Sequence, residues 1–255
     1  MKIVSLAPSN TEILFALGAG KDIAAVTRFC DYPPDAKYKI KIGGWLDVKV
    51  ESVEKIRPDL VFTSNFLQAE LVEKLSRRGI PVVHVDPRTI EDVYASIITI
   101  GESIGREDKA QGIVDEMKRR FAKSRSKRQG RRKIKLYCEE WHKPPTVSGN
   151  WVPELIEAAG GISYCAKGIK SHEVEVDEIA KFSPEGVVVS WCGFGRRTDL
   201  KAVRSRPLWS RLPAFRNGRI YSIDDTFLNR PGPRLVEGAS LLAAILDKIE
   251  KTDKN

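Results

Sequence analysis

The sequence predicts an α/β protein of two lobes with mostly parallel sheets, joined by one long helix, with a ligand cleft between the lobes. Three observations carry this. A phrase is written twice, "KIRPDLVFTS" at residues 55–64 and "KFSPEGVVVS" at residues 181–190. Short aliphatic runs alternate with amphipathic segments, the pattern of strands and helices in α/β layers. One stretch, Glu107 to about Lys127, has no proline and a single glycine, Gly112.

Each copy of the phrase reads as helix, turn, strand. Val50, Val53 and Ile56 give the first helix an apolar face, and Val176, Ile179, Ala180 and Phe182 give the second. Pro58 and Pro184 stop these helices, because the residue before proline is pushed out of the α region. Leu60–Thr63 and Val187–Val189 are too apolar to alternate, so both read as buried strands. The echo extends outward. "GIPVVHVD" (79–86) matches "GRIYSIDD" (218–225), each running from glycine to an aspartate seven residues on. The opening "KIVSLAPSNTEILFALGAG" is restarted from Lys133 as "KIKLYCEEW" followed by "VPELIEAAGG". Three matched segments in one order imply a duplicated unit. The division expected is residues 1–104 for the first lobe, 105–130 for the linking helix and 131–255 for the second lobe.

Ala110, Ile113, Val114, Met117 and Phe121 recur at helical spacing along the link. About 20 residues of helix would span about 30 Å, and Gly130 is a suitable stop. A helix joining two similar lobes leaves a cleft between them, a common place for ligands.

The formal net charge of +9 is local in origin. Lys118 to Lys135 holds eleven Lys and Arg and no acid, and without that stretch the balance is −2. Cations at a helix C-terminus complement its dipole. Phe121 is the only aromatic residue within the cluster, so a nucleic-acid partner is not expected. No apolar run reaches 18 residues.

Enzyme signatures are missing: there is no GxxxxGK[ST], GxSxG or HExxH. The chain is expected not to be an enzyme, with no catalytic set and no metal site. His84, His142 and His172 are far apart, and His84 lies in an apolar strand that suggests a core position. Cys30, Cys138, Cys165 and Cys192 form no CxxC pair. They read as buried thiols, with a Cys138–Cys192 bridge left open. What stands out is where the aromatics fall. Tyr32 ("CDYPP"), Trp45 ("GGWLD"), Phe66, Trp151 and Trp191 sit in loops or just beyond strands. Ligands of open α/β sheets bind beyond the carboxyl ends of the strands, so this distribution points to a flat, apolar ligand.

"IVSLAPSNTEILFALG", "CDYPP", "GGWLD", "IRPDLVF" and "RPGPRLVEGA" together resemble the cobalamin-binding, periplasmic-type substrate-binding proteins of ABC importers, within the wider group that binds cobalamin, haem and iron siderophores. The likeness runs from Met1 to about Ile249. It implies two Rossmann-like lobes, a monomer, and capture of a corrinoid (cobalamin or cobinamide) for an importer permease. It implies cleft aromatics at Tyr32 and Trp45, and a polar pair, Asp225 and Arg230, facing the ligand's amides. It implies outward acids, Glu51 and Glu178, that meet permease arginines. Two family tryptophans fall here near His172 and near Ser64, where Phe66 is a substitute; Trp151 and Trp191 could compensate. A haem ligand remains open, with Tyr32, His142 or His172 as axial donor. So does a ferric siderophore, with Arg28, Arg196, Arg197, Arg230 and Arg234 as candidates. The first strand begins at Lys2, with no leader before it. The chain as written therefore leans toward a cytoplasmic corrinoid-handling role if Met1 is the native start, whereas the family is extracytoplasmic.

Overall fold

The computed structural model describes residues 1–253, apart from the side chain of Arg196. That candidate side chain lies outside the described residues. The chain divides into two compact units. The first comprises Met1–Pro87 and Glu91–Glu116; the second comprises Arg88–Ile90 and the chain from Met117 onward.

The first unit begins with β1 (Ile3–Ser5), α1 (Pro8–Ala16), β2 (Ile23–Val26), β3 (Ile40–Lys41) and α2 (Val50–Ile56). It continues with β4 (Leu60–Ser64), α3 (Ala69–Arg77), β5 (Val82–Val85) and α4 (Ile90–Ser103), whose first residue belongs to the second unit. The strand order is β3-β2-β1-β4-β5, all parallel. Parallel strands covered on both faces must be apolar throughout, and Val4, Ala25 and Val61 are fully buried with Val53 of α2 and Leu75 of α3. His84 departs from expectation. It is exposed on β5, the sheet edge, and its Nδ1 lies 2.9 Å from Thr63 Oγ1.

The expected long helix is α5 (Glu107–Lys127). Ala110, Val114, Met117 and Phe121 are its buried stripe. It is not the only passage between the units, because Arg88–Ile90 already belongs to the second. Arg88 Nη1 donates to Asn150 Oδ1 (3.2 Å), and the Ile90 N–H donates to Glu154 Oε2 (2.7 Å).

The second unit follows with β6 (Ile134–His142), β7 (Pro145–Val147), α6 (Val152–Ala158), β8 (Gly161–Ser163), β9 (His172–Glu173) and α7 (Val176–Phe182). Then come β10 (Gly186–Val189), α8 (Leu200–Arg204), α9 (Pro213–Arg216), β11 (Ile220–Ser222) and α10 (Leu235–Thr252). Its sheet is mixed. β6 is parallel to β10 on one side; on the other its first half is parallel to β8 and its second half antiparallel to β7. β9 pairs antiparallel with β7. The two antiparallel pairings were not legible in the repeat.

The repeat itself is structural. α2 and α7 have seven residues each, and their capping residues, Arg57 (φ 50°) and Ser183 (φ 55°), are both left-handed before a proline. The sheet register aligns β1–β4–β5 with β6–β10–β11. It also amends one match: Val61 faces Val82 and Val187 faces Ile220, so Asp86 corresponds to Asp224 rather than to Asp225. Ile80–Pro81 carries one residue more than the equivalent stretch at Arg219.

The basic stretch is held by acids from elsewhere in the second unit. Arg120 pairs with Glu237 at 2.9 Å. Arg128, with 2 % of its side chain exposed, pairs with Asp247 and Glu250. Arg131 meets the same two carboxylates, and Arg132 meets Glu185 and Asp253. Four of the eleven cations therefore fasten α5 and the start of β6 to acids of α10 and its neighbours. No described helix is long and apolar enough to cross a membrane.

Candidate functional site

In the first unit the candidate aromatics stand at the carboxyl ends of strands and keep surface. Tyr32 is 43 % exposed and Phe66 44 %, while Trp45 is half-buried. The loop carrying Trp45 is built rather than slack. Asp47 accepts the Gly44 N–H and an ion pair from Arg28. The Gly44 hydrogen bond, then Arg28, hold the Asp47 carboxyl below its ordinary range. Gln68, 1 % exposed, is the residue that sequence reasoning missed. Its Nε2 donates to Leu6 O (3.0 Å) and Trp45 O (2.7 Å), and its Oε1 accepts the Ser64 N–H (2.8 Å). One buried amide thus ties the Trp45 loop to the ends of β1 and β4. Only the "NFLQ" turn after the strand hinted at it.

The second unit treats its tryptophans differently. Trp151 is 7 % exposed and its indole donates to Leu228 O (2.7 Å); Trp191 is 5 % exposed and donates to Glu139 Oε1 (2.8 Å). Both lie inside the unit, so their placement differs from the surface contact expected of them. Glu139 is fully buried and takes both arms of Arg206, at 2.7 and 2.8 Å. The Arg206 guanidinium lies between the rings of Trp191 (5.6 Å) and Trp209 (4.7 Å). A planar, bidentate pair suits burial because each lone pair finds a donor.

Asp225, 8 % exposed, accepts the N–H groups of Gly193 (3.0 Å) and Gly195 (2.7 Å), fixing the loop after β10. Arg230 is half-buried, and His172 is exposed with Nδ1 2.9 Å from Lys170 O. Beside that loop, Glu140 accepts Ser171 Oγ at 2.5 Å and faces Cys192 Sγ at 3.7 Å. Burial pushes the Glu140 carboxyl up, and the Ser171 and Cys192 hydrogen bonds oppose it. All four cysteines are free. Cys138 faces Ser148 rather than Cys192, and burial pushes its thiol up to about 12. Among the described residues no group of three or more His, Cys, Asp or Glu could hold a metal ion.

Of the candidate arginines, Arg28 pairs with Asp47, Arg197 Nη2 donates to Gly193 O (3.3 Å), and Arg234 lies over the Phe227 ring. Glu51 and Glu178 are exposed in the first turns of α2 and α7. Glu178 also accepts the Glu175 N–H (3.4 Å) as half of a capping box. Counting back from the matched prolines puts Asp177, not Glu178, opposite Glu51, and Asp177 is ion-paired with Arg211.

Comparisons with known proteins agree with this architecture. Residues 3–226 match the periplasmic binding protein family. An uncharacterized ABC transporter substrate-binding lipoprotein of Bacillus subtilis, YvrC, is 33% identical over 95% of this chain and 78% of its own length. A vitamin B12-binding protein of Vibrio parahaemolyticus is 27% identical over 91% and 84%. The structure of the periplasmic haem-binding protein RhuT of Roseiflexus superposes with a TM-score of 0.85 at 23% identity, covering 97% of this chain and 98% of that one; at that identity it shows the fold. The chain therefore belongs to the periplasmic binding protein family and is a non-enzymatic substrate-binding protein of an ABC importer.

Proposed function

We propose that the imported ligand is a corrinoid, cobalamin or cobinamide, bound one per chain and released unchanged. The observation that carries this is the set of half-exposed aromatics at the strand ends of the first unit, Tyr32, Trp45 and Phe66. Such rings give rigid apolar area at low entropy cost, which suits a broad ring with amides at its edge. A relative named for vitamin B12 binding, matched over nine-tenths of this chain, supports the same reading. Asp225 and Arg230 are proposed to fix the ligand's orientation, with Trp151 and Trp191 behind the ligand-facing surface. Glu51 and Glu178 are proposed as the acids that meet the permease. Haem is the rival ligand: Tyr32 and His172 retain surface that an axial donor needs.

Titration of the purified protein by calorimetry with cyanocobalamin, cobinamide, haem and a ferric siderophore tests the reading. Saturable one-to-one binding of a corrinoid, tighter than the others, is expected. Heat with haem or siderophore and none with corrinoids overturns it.

A further inference from the structure

A β-bulge lies in the second unit between Glu139 and Trp141, where β6 shifts register against β7. Successive strand residues normally point to opposite faces, and bulges re-aim side chains, often beside functional sites. Here Trp141 and His142, neighbours in sequence, are brought into ring contact at 5.0 Å, and both meet the edge of Phe194, at 6.0 and 5.3 Å. Beneath them Trp191 lies against His142 at 4.6 Å with 32° between planes. Trp191 is in turn fixed by Glu139 and by the Arg206 guanidinium. The upper rings keep surface: Trp141 is 39 % exposed, and His142 and Phe194 are half-buried.

The two nitrogens of His142 differ. Nδ1 is enclosed and has no hydrogen-bond partner among the described residues. Nε2 is not among the enclosed atoms and has no hydrogen-bond partner among the described residues, so it opens outward. A buried N–H without an acceptor is rarer than a buried lone pair without a donor. The tautomer that this placement favours has its lone pair inside on Nδ1 and Nε2–H outward. An imidazole that ligates a metal through Nε2 normally gives its Nδ1–H to an acceptor, and none is present here.

We infer that Trp141, His142 and Phe194 form the ligand-receiving face of the second unit, with His142 Nε2–H donating to an oxygen on the rim of a flat ring ligand and not to a metal at its centre. That rim chemistry is an amide oxygen on a corrinoid or a carboxylate on a porphyrin. The inference rests on the proposed function in taking the ligand to be such a ring.

The test titrates wild type, His142→Ala, His142→Gln and Trp141→Ala with cyanocobalamin and with haem, each followed by calorimetry and by the absorption spectrum of the bound ring. The preferred ring identifies the rim oxygen. For that ring His142→Ala weakens binding about tenfold, the scale of one hydrogen bond left unmade. His142→Gln, which restores an N–H donor, recovers most of it with an unchanged spectrum. Trp141→Ala weakens binding with no loss of apo melting temperature, and stands in if His142→Ala fails to fold. Affinity within about twofold of wild type in both His142→Ala and Trp141→Ala overturns the inference alone. So does a metal-centred spectral change that both His142 variants abolish without rescue by glutamine. Wild-type protein that binds neither ring overturns the proposed function, and this inference with it.

Discussion

At one matched position the first unit has Leu6 and the second has Glu139; both are fully buried. They correspond through the sheet register, since Leu6 follows the Ser5–Phe62 pair and Glu139 follows the Cys138–Val188 pair. In the first unit that site is apolar, and the aromatics stay outside on loops. In the second it is a carboxylate that needs donors, and it draws Arg206 and the Trp191 indole inward. The carboxylate at this position accounts for the burial of Trp191, whose indole it accepts, while Trp141, two residues further along β6, keeps its surface. The same path through the sheet yields an aromatic rim in one unit and an aromatic layer over a buried ion pair in the other.

The largest expected effect breaks this comparison directly. Glu139→Ala leaves the largely enclosed Arg206 without its partner, which costs up to about 3–5 kcal/mol. Glu139→Leu combined with Arg206→Met removes both charges but leaves the Trp191 indole N–H and the Tyr137 hydroxyl without their acceptor, so it should recover only part of that loss. Urea unfolding of the single and double variants checks this. A double variant as unstable as the single would show that the pair is needed for more than its charge balance.

Next in size is the contrast between tryptophans. Trp191→Ala should cost about 3–5 kcal/mol of stability, as for a large core aromatic. Trp45→Ala should leave the apo melting temperature nearly unchanged and weaken ligand binding by about 1–3 kcal/mol. Thermal melts and titrations on the same two proteins suffice. Loss of stability at Trp45 with affinity intact would make it core and remove the distinction between rim and layer.

The sequence made half of this comparison legible. The doubled phrase located α2 and α7, β4 and β10 and their proline stops, because helix exit before proline and strand apolarity are local rules. The stripe from Ala110 to Phe121 located α5 for the same reason. Burial of the tryptophans was not local. Trp191 is inside because of Arg206 and Glu139, the latter 52 residues away in sequence, and Trp151 because of Leu228, 77 away. His84 has a strand's composition, but whether a strand is central or at an edge depends on pairing that composition does not encode. The Gln68 clamp and the Arg88–Ile90 passage likewise depend on groups far along the chain.

Smaller effects attend the acids on the helix starts. Glu51→Ala with Glu178→Ala should leave ligand affinity intact, lower transport with a cognate permease, and make pull-down by that permease less salt-sensitive. The matched position sharpens this. If the second unit mirrors the first, Asp177→Asn will impair transport more than Glu178→Gln, and freeing Asp177 by Arg211→Gln will not impair it. Unchanged transport in the double glutamate variant would remove the docking role of both.

The smallest effect tests whether the two units share their helix exits in energy as well as in shape. Arg57 and Ser183 hold left-handed conformations, at φ 50° and 55°, where a Cβ crowds the backbone. Glycine is the usual occupant of such a helix stop, because it has no Cβ to crowd. Replacing either residue by glycine relieves the crowding but loosens the unfolded chain, and the two terms oppose each other. The neighbouring prolines already restrict the unfolded chain at these positions, so relief should prevail. Arg57→Gly and Ser183→Gly are each expected to stabilise by about 0.5–1 kcal/mol, the left-handed strain relieved less the unfolded-chain term. As the exits belong to different units, the double variant should show the sum. Arg57 is exposed and Ser183 half-buried, yet the backbone term is common to both. Equal gains measured by urea unfolding would mark the exit as one device used twice. A gain at one position and a loss at the other would mean that side-chain surroundings, not the duplicated backbone, set the energy there.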